Sequence, residues 1–132
     1  MNHQEQRLQI QLATWLDLQG ILHCASLGGV PMRNARIGGI MKAKGYRKGF
    51  PDHQILEARG GWHGMFIELK VENTKKNEAQ DRWRKDLIDR RYYAIKVPGK
   101  FDFWQARAFI EKEITDYLEG RKVYEHTISH DI

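Results

Sequence analysis

The stretch GYRKGFPDHQILEARGGWHGMFIELK, residues 45–70, decides the fold. Its end carries the clearest strand signal in the chain. In Met65-Phe66-Ile67-Glu68-Leu69-Lys70-Val71, the residues Met65, Ile67, Leu69 and Val71 share one face. Glu68 and Lys70 share the other, because strand side chains alternate with period two. Upstream, Gln54 to Ala58 reads as a partner strand, and Arg59-Gly60-Gly61 as the turn of a hairpin. Such a hairpin can bring Asp52, just before the first strand, and Glu68, in the second, to one end of a sheet.

That convergence has chemical consequences. Two carboxylates about 4 Å apart repel by roughly 4 kcal/mol at an effective dielectric of about 20. The pair persists only if one carboxyl is protonated or a cation sits between them. Hard oxygen ligands at this spacing suit Mg²⁺ or Mn²⁺, which can bind substrate phosphate as well, polarise a phosphodiester and activate water. Lys70, two residues after Glu68, projects the same way and can orient or deprotonate that water, or stabilise the charged transition state. Each feature alone has a plainer explanation: Glu-x-Lys as an exposed strand face, and Asp52 as a turn residue after proline.

Working outward, Leu8, Leu12, Trp15 and Leu16 form the stripe of a helix over about residues 3–19, ended by Gly20. Ile21 to Ala25 is a short apolar run expected to be a strand, followed by a helical turn around Asn34 to Lys42. A second amphipathic helix is expected over about residues 78–90, with Ala79, Trp83 and Leu87 inward and Gln80 aligned with them. Tyr92 to Val97 reads as a strand, Pro98-Gly99 as a turn, and residues 101–118 as a last helix. The order predicts an α/β domain with a small mixed sheet flanked by helices. The helical crossover makes the Glu68 and Tyr92 strands parallel neighbours. At 132 residues the chain is one domain, with a core over about residues 5–118 and a tail over 119–132.

The net charge is +5, and its distribution is uneven. Between Ser26 and Pro51 stand Arg33, Arg36, Lys42, Lys44, Arg47 and Lys48, with no Asp or Glu. A segment of this kind attracts phosphate backbones through counterion release, although a solvated loop is the plain alternative. Gly28, Gly29, Gly38, Gly39 and Gly45 in the same segment allow close backbone approach to a ligand. Nucleic acid is the favoured partner. No apolar run approaches the roughly 20 residues a membrane span needs, and the polar N-terminus does not read as a signal peptide. The single cysteine, Cys24, is expected to be a small buried residue in a reducing cytoplasm.

Gly-x-x-x-Gly-x-Pro-Asp at residues 45–52, then Ile67-Glu68-Leu69-Lys70, then Gln80, together resemble the VRR-NUC family of the PD-(D/E)xK nuclease superfamily. The resemblance covers about residues 5–97. It implies a restriction-endonuclease-like fold and a Mg²⁺- or Mn²⁺-dependent DNA endonuclease. By resemblance, Asp52, Glu68 and the main-chain carbonyl of Leu69 hold the metal, and Lys70 is the catalytic lysine. Gln80 would complete the active site, and Glu5 would add a carboxylate from the first helix, with Gln9 an auxiliary contact. The short, basic, standalone form looks like versions carried by phages and prophages, which implies action in a bacterial cytoplasm. Small nucleases of this superfamily often work as homodimers.

Rival readings stand beside these. Asn77-Glu78-Ala79-Gln80 also has the spacing of a helix capping box, and Glu5 could be a first-turn residue favoured by the helix dipole. No feature reads bases, so recognition of branched or junction DNA is expected over recognition of sequence. RNA as substrate and a non-catalytic nucleic-acid-binding module are the alternatives, and no small-molecule cofactor is expected. His23, His53 and His63 are expected near the site. Trp62 is open between stacking surface and core, and His126 and His130 have the i, i+4 spacing of a helical metal pair without a third ligand.

Overall fold

A computed structural model describes residues 1–26 and 34–125. Arg33, Gly28, Gly29, His126 and His130 lie outside the described residues.

The first helix, α1 (His3–Leu18), opens on a capping box. Asn2 accepts the backbone N–H of Glu5, and the Glu5 side chain accepts the backbone N–H of Asn2. Leu8, Leu12 and Leu16 form its buried stripe, each stabilising the fold by roughly 1.5–3 kcal/mol through burial. Gly20, at φ +72°, ends the helix with the left-handed turn that glycine adopts without strain. The remaining elements are β1 (His23–Ala25), α2 (Ala35–Ala43), β2 (His53–Ile55), β3 (Met65–Glu68), α3 (Glu78–Asp89), β4 (Tyr93–Lys96) and α4 (Phe103–Leu118).

One mixed sheet runs in the order β1-β2-β3-β4. β1 with β2 and β2 with β3 are antiparallel, and β3 with β4 is parallel, as the α3 crossover requires. The hairpin turn lies at residues 59–62, bridged by Arg59 and Trp62, with Gly60 and Gly61 at positive φ. The strands are shorter than the sequence suggests: β2 stops at Ile55 and β3 at Glu68.

Both faces of β3 are buried. Ile55, Met65 and Ile67 pack with Leu8, Leu12 and Leu16 of α1 and with Ile110, Ile114 and Tyr117 of α4. On the opposite face Phe66 and Ala94 pack with Leu87 of α3, Phe50 and Trp83. A single alternating strand is therefore the middle layer of a helix–sheet–helix stack. Trp62 is a core anchor: its Nε1–H donates to the carbonyl of Lys122 at 2.8 Å, and Tyr124 packs against its ring. The tail through Tyr124, whose backbone N–H donates to the Gly60 carbonyl, is thus docked on the hairpin turn.

Two expectations are corrected. Cys24 is exposed, not buried, because β1 is an edge strand. His63 stands at the opposite end of β3 from Glu68, its backbone N–H donating to Arg91 and its ring against Tyr92, so it is not near the carboxylates. Among the described residues, no helix is long and apolar enough to cross a membrane.

Candidate active site

The hairpin register explains how Asp52 and Glu68 meet. His53 pairs with Ile67, so the next pair outward sets Asp52 opposite Glu68, on the α3 face of the sheet. Beyond Ile67, the backbone N–H of Leu69 donates to Asp52 Oδ2 at 2.9 Å in place of a strand carbonyl. A carboxylate thus ends the ladder and fixes its own orientation.

Asp52, Glu68 and Lys70 are only 5%, 4% and 7% exposed, which removes the reading of Glu68 and Lys70 as an exposed strand face. Burial raises the pKa of both carboxyls. For Glu68 the adjoining Asp52 carboxylate pushes further in the same direction, opposed by the Lys70 ammonium. Without a cation, the pair holds a proton.

Gln80 belongs to this site. Its backbone N–H donates to the Asn77 cap, while its side-chain Nε2 donates to Glu68 Oε2 at 3.0 Å. The side chain therefore reaches Glu68 instead of closing a capping box. Gly49 packs against the start of α3. At φ +85° it lies so close to α3 that a Cβ there would come within 2.8 Å of the Ala79 carbonyl carbon and 2.9 Å of the Gln80 nitrogen.

Glu5 lies at the same cleft but is consumed by hydrogen bonds. Its Oε2 accepts from the Val71 backbone at 3.1 Å and from the side chains of Asn73 and Asn2, and its Oε1 accepts from the Asn2 backbone. It ties the start of α1 to the chain after β3. The negative charge of Glu5 also raises the pKa of Asp52 and Glu68, so it strengthens the site's attraction for a cation.

The groups open into a cleft of about 240 Å³, whose walls include Lys75, Lys76, Asn73 and Asn77 from the loop before α3. Sequence reasoning missed these four. Lys75-Lys76, between a carboxylate-bearing strand and its following helix, is the signal that could have found them. Arg36, Lys42, Lys44, Arg47 and Lys48 are exposed. Lys48 is held to α3 by a Trp83 Nε1–H bond to its carbonyl, and Arg47 donates to the carbonyls of Lys42 and Tyr46.

The donor set suits a hard divalent cation. Glu68 Oε1 and Gln80 Oε1 are buried with no hydrogen-bond partner, an arrangement that buried acceptors rarely tolerate. Among the described residues no three His, Cys, Asp or Glu side chains cluster at ligand spacing. A cation here would therefore draw on the Asp52 and Glu68 carboxylates and on water, a mixture Mg²⁺ accepts.

His53 and His23 are stacked behind Asp52, with centroids 5.1 Å apart. Burial, reinforced by His23, lowers the His53 pKa to about 4.

An antiparallel hairpin, a parallel helical crossover and carboxylates at the hairpin mouth define the α/β, restriction-endonuclease-like class. Solved structures narrow it. One described as "VRR_NUC domain protein" matches with a TM-score of 0.66 at 22% identity, over 91% of this chain and 92% of that chain. Another, "VRR_NUC domain", gives a TM-score of 0.53 at 24% identity, over 83% and 97%. The chain shares the fold of these VRR-NUC domain structures. No family model and no curated protein matches its sequence.

Proposed function

We propose that this chain is a Mg²⁺- or Mn²⁺-dependent endonuclease that hydrolyses DNA phosphodiester bonds, selecting branched or junction structure over sequence. The observation that carries the reading is the buried Asp52–Glu68 pair beside Lys70, with acceptor oxygens left unsatisfied on Glu68 and Gln80. A module that only binds nucleic acid gains nothing from burying acids where phosphate would approach. The likeness to VRR-NUC domain structures supports the nuclease reading.

Asp52, Glu68 and the Leu69 carbonyl would hold the cation, which when bound neutralises phosphate charge and acidifies water. Gln80 holds Glu68 by one oxygen and leaves the other for the cation. Lys70 orients the attacking water, or takes its proton, as the P–O ester bond breaks. Lys75 and Lys76, with Lys44, Arg47 and Lys48, hold the flanking phosphates by charge, without reading bases. A homodimer would set two such sites against two strands.

The test is cleavage of labelled duplex, single-stranded, flap and four-way DNA, and of matching RNA, with Mn²⁺, Mg²⁺ or EDTA. Metal-dependent cutting of branched DNA by wild type, lost in Asp52→Asn and Lys70→Ala while DNA binding remains, is the expected result. Binding without cleavage on every substrate would make the chain a binding module, and preferential RNA cutting would change the substrate class.

A further inference from the structure

A line of hydrogen bonds runs from the surface to Asp52 on the α1 face of the sheet, away from the cleft. Asp17 Oδ1 lies 2.6 Å from His23 Nε2, His23 Nδ1 lies 2.9 Å from His53 Nε2, and His53 Nδ1 lies 3.0 Å from Gln9 Nε2. The same Gln9 nitrogen donates to the Asp52 carbonyl at 2.9 Å.

The direction of each bond follows from one fixed end. A peptide carbonyl only accepts, so the Gln9 atom facing it is the amide nitrogen, which only donates. His53 Nδ1 therefore accepts, and a neutral His53 carries its hydrogen on Nε2. That hydrogen makes His23 Nδ1 the next acceptor, so His23 carries its hydrogen on Nε2 and donates to the Asp17 carboxylate. Both rings are in the same tautomer, and every donor along the line meets an acceptor.

We propose that Gln9, its amide oriented by His53, His23 and Asp17, is a positioning residue for Asp52. Asp52 is gripped at two points: its side chain by the Leu69 N–H, and its carbonyl by Gln9 and the Ser26 backbone N–H at 2.9 Å. The Gln9 line is the only one of these grips that depends on side chains distant from the cleft. Groups that orient a ligating carboxylate typically change metal affinity or turnover when removed. The inference rests on the reading of Asp52 as part of a cutting site.

Three measurements on the full chain test it. Long-range ¹H–¹⁵N correlation of the metal-free protein at neutral pH should find His23 and His53 neutral, both with hydrogen on Nε2. Gln9→Glu, nearly the same shape, offers His53 Nδ1 an acceptor instead. It should move the His53 hydrogen to Nδ1. Gln9→Ala and Gln9→Glu should each weaken Mn²⁺ binding and lower kcat by about tenfold, with KM changed by less than about twofold.

A wild-type His53 with hydrogen on Nδ1, or a Gln9→Ala enzyme with unchanged kcat and Mn²⁺ affinity, would overturn the proposal. Should wild type cut nothing, yet show these tautomers and lose Mn²⁺ affinity on Gln9→Ala, the positioning role stands and the nuclease reading falls.

Discussion

Asp52 and Glu68 face each other across the mouth of the β2–β3 hairpin, one register step beyond the His53–Ile67 pair, and both carboxyls are buried. Two acids so placed hold either a proton or a cation, and the consequences of that choice are measurable.

Stability should depend on pH and metal together. Burial raises the pKa of both groups above their unfolded values of 3.8 and 4.5. The folded chain therefore holds protons that the unfolded chain releases. Their contribution is fully present below the ordinary carboxylate range and is lost as pH rises from there toward the raised folded value, about 10 for Glu68. In EDTA the melting temperature should fall between about pH 5 and about pH 8 through this pair. Mn²⁺ should reverse the fall, adding about 2.7 kcal/mol at a hundredfold excess over Kd. Glu68→Gln should flatten the pH dependence and abolish the Mn²⁺ gain. Differential scanning fluorimetry reads all three.

Lys70 should matter for turnover and not for metal. Lys70→Met keeps the aliphatic stem and removes the ammonium beside the carboxylates. Cleavage should fall by about 10²-fold or more, while Mn²⁺ binding, measured by calorimetry, is retained or tightened. Loss of Mn²⁺ binding would make Lys70 a structural residue of the cation site.

Gly49 should be intolerant of any side chain. Gly49→Ala combines φ +85° with a Cβ 2.8 Å from the Ala79 backbone, so α3 must shift and carry Gln80 from Glu68. The expected cost is about 1–3 kcal/mol, with lost turnover. Gly20→Ala is the control: φ is +72° but nothing lies within 4 Å, so it should cost about 1–2 kcal/mol and leave turnover intact. Chemical denaturation and cleavage rates on both variants check this.

The cations should bind backbone and not sequence. Replacing Lys44, Arg47 and Lys48 with alanine should weaken DNA binding on all sequences alike. The slope of log K against log salt should shrink by about 0.9 for each phosphate that is no longer neutralised. The pair Lys75→Ala and Lys76→Ala, at the cleft itself, should also raise KM. Fluorescence anisotropy at several salt concentrations measures the slopes.

Much of this was legible in the sequence because a strand has a strict period. Alternation in Met65–Val71 located the buried strand, and the Arg59-Gly60-Gly61 turn fixed its partner, which together set Asp52 near Glu68. Gln80 was ambiguous because a capping residue and a side chain reaching a neighbouring strand share the same helical position, and only tertiary geometry separates them. Cys24 was misjudged because intrinsic burial tendency says nothing about which strand forms the sheet edge. The His23–His53 contact was hidden because it is a diagonal pair across the β1–β2 register, in which His23 stands opposite Ile55. Lys75 and Lys76 lie in a loop, where no periodicity indicates direction.

The central claim is that Asp52, Glu68 and the Leu69 carbonyl hold one divalent cation. Its most direct measurement is an anomalous difference map from crystals soaked in Mn²⁺. A peak is expected between the two carboxylates and that carbonyl, with oxygens at about 2.1 Å and Glu68 Oε1 among them. A map with no peak there at saturating Mn²⁺ would contradict it.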